Sequence, residues 1–262
     1  MIRTMKRAGT MKNSLGTKVV LILALSLAAT TAFAATGKPV SYKSGDDTVQ
    51  GILYAPDGPG PFPAIVVIHE WWGLNDWVKE QASKLSDQGY VTLAVDLYRG
   101  KVAANPDMAH ELMRGLPEDR AGRDLRAAVA FLRSQDNVQK DRVGSIGWCM
   151  GGGYSLQTAL EVPDLAATVI NYGHLVTEPE SLQKIHAPIL GLFGGKDQGI
   201  TPEDVGKFEA AMKKLGKKID VKIYPEAGHG FENPINKSGY RADDTADAWK
   251  RTVSFLAANL KK

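Results

Sequence analysis

The sequence contains a single cysteine, Cys149, among its 262 residues. One thiol cannot form an intramolecular disulfide, so a small disulfide-stabilised fold is excluded. Long apolar runs are also missing: residues 19–29 are shorter than the roughly 20 residues that a membrane-spanning helix needs. The chain also has no cluster of histidine, cysteine and acidic residues with metal-ligand spacing, and no glycine-rich loop in a phosphate-binding context. We therefore expect neither a metal nor a cofactor.

Acidic residues are absent from residues 1–34, which carry basic residues first, then the apolar run, then Ala32-Phe33-Ala34. That order is typical of a secretory signal peptide. It predicts cleavage after Ala34, a mature domain over residues 35–262 and an exported, periplasmic protein. Met11 is an alternative start that leaves a shorter signal.

The basic charge of the chain comes from this leader. Its removal takes five of the 32 basic residues and none of the 29 acidic ones, leaving 27 against 29 and a net charge of −2. The remaining lysines and arginines are scattered among acids. The mature protein therefore lacks the basic patch of a nucleic-acid-binding protein, and we expect no stable membrane insertion after cleavage.

Beyond residue 38, short runs rich in β-branched residues alternate with longer helical patterns. This alternation predicts an α/β domain with a mostly parallel sheet and helices on both faces, opened by an antiparallel pair. The predicted strands cover residues 40–44, 49–54, 64–68, 91–95, 143–147, 167–170, 189–193 and 221–224. The predicted helices cover residues 77–85, 119–134, 152–160, 202–215 and 242–260.

Cys149 lies in the stretch GSIGWCMGGG, between a predicted strand and a predicted helix. A nucleophile between two glycines at such a junction is typical of the nucleophile elbow of α/β-hydrolases. The helix N-terminus favours the thiolate, and the N–H of Met150 would form half of an oxyanion hole. The alternative is a packed core cysteine, because free cysteine is often buried.

A cysteine nucleophile needs a base and a group that orients the base. Downstream of Cys149, Asp197 follows a predicted buried strand, and His229 lies between two glycines on a loop after the last strand. The chain order nucleophile, acid, histidine is that of α/β-hydrolases. We therefore predict a triad of Cys149, His229 and Asp197, in preference to the other histidines at positions 110, 174 and 186.

The other wall of the site is predicted directly after the most apolar strand. The hydrolase fold takes its second oxyanion donor from this position, which assigns it to the N–H of Trp71. The neighbouring Glu70 is a carboxylate in an apolar setting, which is costly unless it is paired.

Together, the GWCMGG elbow, Glu70, the DLYRG segment at residues 96–100, Asp197 and the AGHGF segment resemble the dienelactone hydrolase family over nearly all of the mature chain. The resemblance implies an α/β-hydrolase fold and hydrolysis of an ester or lactone without a cofactor. It also implies that Glu70 holds the resting thiol and releases it when substrate binds.

The substrate residues match the family less well. The resemblance implies two arginines that bind a substrate carboxylate, and here Arg99, beside Tyr98, is the nearest match to the first. At the second position the chain has Glu232 or Asn233, and neither forms a bidentate carboxylate clamp. Tyr98, Arg99 and Tyr172 are the predicted substrate-binding residues, with Tyr172 as a wall of the pocket.

The predicted function is hydrolysis of a small ester or lactone through a thioester acyl-enzyme. Two alternatives are a catalytically silent binding protein on the same scaffold and a thiol-dependent peptidase or acyltransferase. The sequence leaves the oligomeric state open. Residues 101–116 are either a lid, with Met108, Leu112 and Met113 facing the substrate, or a segment packed against the body.

Overall fold

The computed structural model describes residues 1–2 and 36–261. Within them, eight strands form one sheet in the order β1-β2-β4-β3-β5-β6-β7-β8. Only β1 with β2 and β2 with β4 pair antiparallel, and the other neighbours are parallel. The predicted fold class and the antiparallel opening pair are confirmed. The strands are β1 (Lys38–Ser44), β2 (Asp47–Tyr54), β3 (Phe62–Ile68), β4 (Val91–Asp96), β5 (Val138–Trp148), β6 (Ala167–Asn171), β7 (Ile189–Gly194) and β8 (Ile219–Tyr224).

Helices cover both faces of this sheet. They are α1 (Asp76–Asp87), α2 (Pro106–Arg114), α3 (Glu118–Arg133), α4 (Met150–Glu161), α5 (Pro179–Leu182), α6 (Pro202–Lys214) and α7 (Ala242–Leu260). Apolar side chains of α1 and α7 form one core with one face of the strands. Those of α3, α4 and α6 form a second core on the opposite face. Burial on both faces explains why the central strands are almost continuously apolar.

The parallel strands place their carboxyl ends at one edge of the sheet. β3 ends at Ile68, β5 at Trp148 and β7 at Gly194, and each is followed by a residue predicted for the site. Open α/β sheets bind ligands at this edge, because the loops after the strands converge there.

Three elements depart from the prediction: β5, α2 and the short helix α5, where no helix is predicted. β5 begins at Val138, five residues before the predicted start, because its first residues continue to pair with β3 beside Phe62. Residues 101–116, for which the sequence leaves a lid or a packed segment open, contain helix α2, which starts where the Asn105 side chain accepts a hydrogen bond from the N–H of Met108. Helix α6 begins at Pro202 as predicted, and Thr201 caps it in a capping box with Asp204.

The predicted signal peptide falls outside the described residues, apart from positions 1 and 2. In the part of the chain that is described, every helix is too short or too polar to cross a membrane.

Candidate active site

Cys149 sits in a sharp turn between β5 and α4, with a φ of +55°. A non-glycine residue rarely adopts a positive φ, and such strain is concentrated at functional sites. The turn depends on Gly147 and Gly151. A Cβ on Gly147 would collide with the carbonyl oxygen of Gly151, and one on Gly151 with that of Ile68. The glycines thus allow the helix to start directly behind the nucleophile.

The three residues of the predicted triad lie together. Nε2 of His229 is 3.0 Å from Sγ of Cys149, and Nδ1 of His229 is 2.7 Å from Oδ2 of Asp197. The other carboxylate oxygen of Asp197 accepts hydrogen bonds from the N–H groups of Gly199 (2.9 Å) and Ile200 (3.0 Å). These bonds fix the carboxylate, which in turn orients the imidazole toward the sulfur.

The charges of the site favour a protonated imidazole. Burial by itself would lower the pKa of His229, but the hydrogen bonds and charges of Asp197 and Cys149 outweigh it and raise that pKa to about 10. Burial likewise opposes ionisation of Asp197, yet its bonds to His229 and two backbone N–H groups hold its pKa below the usual value. The arrangement therefore suits a thiolate–imidazolium pair held by a carboxylate.

Glu70 is almost fully buried beside this pair. Its carboxylate accepts hydrogen bonds from Asn233 Nδ2 at 2.5 Å and from the Tyr172 hydroxyl at 3.4 Å. Burial raises its pKa to about 7, although both bonds and the charge of His229 favour the ionised form. The hydrogen bonds described for this carboxylate do not include Cys149, whose thiol faces His229 instead.

A second buried carboxyl group, Glu232, lies nearby. Its Oε2 accepts a hydrogen bond from Trp148 Nε1 at 3.1 Å, and its Oε1 has no partner within the described structure. Burial, reinforced by the charge of Glu70, raises the pKa of Glu232 to about 8, so at neutral pH it is largely a neutral acid.

The sequence predicts the backbone N–H groups of Met150 and Trp71 as oxyanion donors. Met150 is the first residue of α4, so its N–H has no partner within the helix. Across the described residues, neither this N–H nor that of Trp71 has a backbone or side-chain acceptor.

A cavity of about 680 Å³ opens over Cys149 and His229. Its walls come from the loop after β3, from α2 and from the loop after His229. The lining residues are Glu70, Trp71, Trp72, Met113, Cys149, His229, Gly230, Asn233, Ile235, Asn236, Lys237 and Ser238. Sequence reasoning missed Ile235 to Ser238, because an irregular loop carries no periodicity that would show which side chains face inward.

The three predicted substrate-binding residues are not among these lining residues. The Tyr98 hydroxyl donates to Met150 Sδ at 3.2 Å. Tyr172 is fully buried, and its ring packs edge-on against the imidazole of His229 with centroids 5.2 Å apart. Both aromatic residues therefore support the elbow and the base rather than the walls of the cavity.

Arg99 points away from the cavity because of the turn in which it lies. Asp96 accepts a hydrogen bond from the N–H of Tyr98, and Arg99 adopts a φ of +56°. The Arg99 guanidinium then lies 2.7 Å from a carboxylate oxygen of Asp124, which is completely buried in α3. The structure thus gives Arg99 an internal ion pair instead of a substrate carboxylate.

We expect Arg99→Met to lower the free energy of unfolding by about 3 kcal/mol, because it leaves the Asp124 carboxylate buried without its partner. Urea denaturation would measure this loss. Arg123→Met is a matched control: its pair with Asp47 is partly exposed, so we expect a loss of less than about 1 kcal/mol. If Arg99→Met instead raises KM for an ester and leaves the stability unchanged, Arg99 binds substrate, as the sequence predicts.

The described residues contain no group of three or more histidine, cysteine or acidic side chains placed to hold a metal ion.

Comparison with known proteins agrees with this geometry. The sequence model of the dienelactone hydrolase family matches residues 49–260. A candidate carboxymethylenebutenolidase of Methylorubrum extorquens is 33% identical over an alignment of 225 residues, covering 80% of this chain and 77% of that protein. Another, from Saccharolobus solfataricus, is 33% identical over 259 residues, covering 84% of this chain and 97% of that protein.

Among solved structures, a dienelactone hydrolase-like promiscuous phosphotriesterase from metagenomic libraries has a TM-score of 0.80 at 26% identity. The match covers 87% of this chain and 99% of that one. A family match over most of the chain and a shared fold over nearly the whole of a neighbour point to the same group of enzymes. The chain therefore belongs to the dienelactone hydrolase family of α/β-hydrolases, and it is a hydrolase of the ester and lactone class.

Proposed function

We propose that this protein hydrolyses a small ester or lactone through a Cys149–His229–Asp197 triad and a thioester acyl-enzyme. The observation that carries the proposal is the unbroken line of contacts from sulfur to imidazole to carboxylate, at 3.0 and 2.7 Å, at the base of an open cavity. The backbone N–H groups of Met150 and Trp71, which have no acceptor within the described residues, are the proposed donors to a developing oxyanion.

In the first half-reaction the Cys149 thiolate attacks the substrate carbonyl carbon. A C–S bond forms, and the carbonyl oxygen takes the negative charge and is bound by the N–H groups of Met150 and Trp71. When the tetrahedral intermediate collapses, the C–O bond breaks and the His229 imidazolium gives its proton to the leaving alkoxide. For a lactone, the leaving alcohol stays attached to the acyl group.

In the second half-reaction the neutral His229 accepts a proton from water, and the hydroxide equivalent attacks the thioester carbonyl. The C–S bond then breaks, which releases the carboxylic acid product and restores the thiolate with its imidazolium. Asp197 keeps the imidazole in one tautomer and orientation throughout.

The walls of the cavity are largely apolar and include one lysine, Lys237. Trp71, Trp72, Met113 and Ile235 present apolar surface, and the described lining residues include no arginine. Asn233, at the position where the resemblance implies an arginine, donates its amide to Glu70 and is 2% exposed. A carboxylate on the substrate would thus lack the bidentate partner that it binds best.

We also propose that Glu70 controls the ionisation of Cys149. Because Glu70 has a pKa of about 7, its negative charge forms as the pH rises through neutrality and then stabilises the imidazolium of His229. Glu70→Gln removes this charge. We expect alkylation of Cys149 by iodoacetamide at pH 8 to slow about fivefold, and its step near pH 7 to vanish.

Glu80→Gln, at an exposed glutamate of α1, is the control and leaves the rate and the pH profile of alkylation unchanged. Identical pH profiles of alkylation for the wild type and Glu70→Gln would contradict the proposed role of Glu70.

Two alternatives have distinct outcomes in one screen of the purified protein against esters, lactones and peptides. Turnover of peptides in preference to esters would make the protein a thiol-dependent peptidase. Binding without turnover would make it a silent binding protein. The contacts of all three triad residues favour the hydrolase, because a silent site has no need of an oriented base.

We propose, finally, that the enzyme is exported. The support is the order of basic residues, apolar run and Ala32-Phe33-Ala34 in the leader. N-terminal sequencing of protein from the periplasmic fraction is expected to read from Ala35. A mature chain that retains residues 1–34 would contradict this.

A further inference from the structure

A second cavity of about 560 Å³ lies next to the reaction cavity, alongside α4. Its volume is within the range of small-molecule sites in proteins. No step of the proposed mechanism uses it. Six of its lining side chains are apolar: Met113, Leu116, Met150, Leu156, Leu160 and Val176.

Four polar side chains also line this cavity: Glu118, Tyr154, Gln157 and His174. Glu118 and His174 are exposed, whereas Leu116 and Leu156 are buried. Tyr154 and Gln157 are half-buried. The buried side chains of the lining, Leu116 and Leu156, are apolar, and this part of the cavity favours a hydrocarbon group.

Two residues connect this cavity to the chemistry. Met113 lines both cavities. Met150 lines the second cavity, follows the nucleophile directly and supplies a proposed oxyanion donor. Methionine is unbranched and adaptable, so a rotation of the Met113 side chain is enough to change the opening between the two spaces.

The cavity also has a length that suits a chain. From Met150 to Leu160 it follows α4 for ten residues, or about 15 Å at the rise of an α-helix. Because Met150 directly follows Cys149, the end of this cavity at Met150 lies near the nucleophile.

We propose that this second cavity binds an unbranched hydrocarbon arm of the ester substrate, entering past Met113. The inference rests on the proposed function and narrows it, since it makes esters with an apolar arm better substrates than acetate esters. Each methylene that leaves water for the cavity is expected to raise kcat/KM about twofold to fourfold, until the cavity is filled.

The test uses two ester series on the full-length mature enzyme. In one, p-nitrophenyl esters run from acetate to decanoate; in the other, alkyl acetates run from methyl to octyl. Leu160→Phe and Val176→Phe fill the cavity from two sides, from the helix and from the loop. In each series, kcat/KM for the eight-carbon ester is divided by kcat/KM for the shortest ester. Each variant is expected to lower this ratio about tenfold.

Leu215→Phe is the matched control. Leu215 is also a partly buried leucine at the end of a helix, packed on the same apolar core, but it does not line either cavity. It should leave the ratio as it is in the wild type. Melting temperatures of the three variants show whether each is folded.

If the two cavity variants have a lower ratio than the wild type in the p-nitrophenyl series, the cavity binds the acyl chain. If they have a lower ratio in the alkyl acetate series, it binds the alcohol. Either result supports the proposal. An unchanged ratio in both series, with folded variants and with acetate turnover that still requires Cys149, overturns the cavity proposal alone. If acetate turnover does not require Cys149, the proposed function itself fails.

Discussion

Replacing Cys149 by alanine is expected to lower kcat/KM for a small aryl ester by at least about 10⁴-fold. The methyl group of alanine fits the turn but cannot attack a carbonyl, so the remaining rate comes only from the oxyanion donors and substrate binding. Initial rates with p-nitrophenyl acetate measure the loss of turnover. Mass spectrometry of the trapped enzyme measures the loss of the acyl-enzyme. The variant should gain no acyl mass.

Cys149→Ser is the matched control, because its hydroxyl differs from the thiol by one atom. A serine hydroxyl is a much weaker acid than a thiol, and it would lie about 3.0 Å from the same His229 nitrogen that contacts the thiol. We expect residual activity well below wild type but above that of the alanine variant. Undiminished turnover by Cys149→Ala would disprove the triad.

The second large effect concerns Asp197, which reaches the substrate only through His229. Asp197→Asn is expected to lower kcat by about 10³-fold to 10⁴-fold, because an amide no longer fixes the tautomer whose Nε2 faces Cys149. Binding should suffer much less, so KM is expected to change by less than about threefold.

The pH profile separates this role from a merely structural one. The carboxylate of Asp197 is one of the groups that raise the pKa of His229 to about 10. Without it, the imidazolium loses its proton at lower pH. The alkaline limb of the pH profile of kcat is therefore expected to move to lower pH. Asp243→Asn, at an exposed aspartate in the first turn of α7, should shift neither kcat nor the profile.

The sequence allowed the fold to be predicted well where a short range of residues decides the structure. Buried strands such as β3 are read from their composition, and α6 from the capping residues at Thr201. Cys149 was found in the same way, because the elbow is a local feature in which two glycines and a strand–helix junction lie within a few residues.

Predictions failed where a distant partner decides the geometry. The sequence near Arg99 does not show that its guanidinium pairs with Asp124. This aspartate lies 25 positions further on, in α3. In the same way, Asn233 was predicted only as a poor substitute for an arginine, whereas the fold makes it the partner of Glu70. Such pairs depend on packing between elements, which periodicity does not encode.

The close packing around the elbow also determines how this enzyme can acquire new specificities. Any side chain larger than hydrogen at Gly147 or Gly151 would strike the backbone of a neighbouring segment, so random mutagenesis will rarely yield active variants at those positions. Trp72 and Ile235, by contrast, project from loops that the sheet does not constrain. Evolution of this scaffold is therefore expected to leave the reaction centre constant and to change substrates through the loops around it.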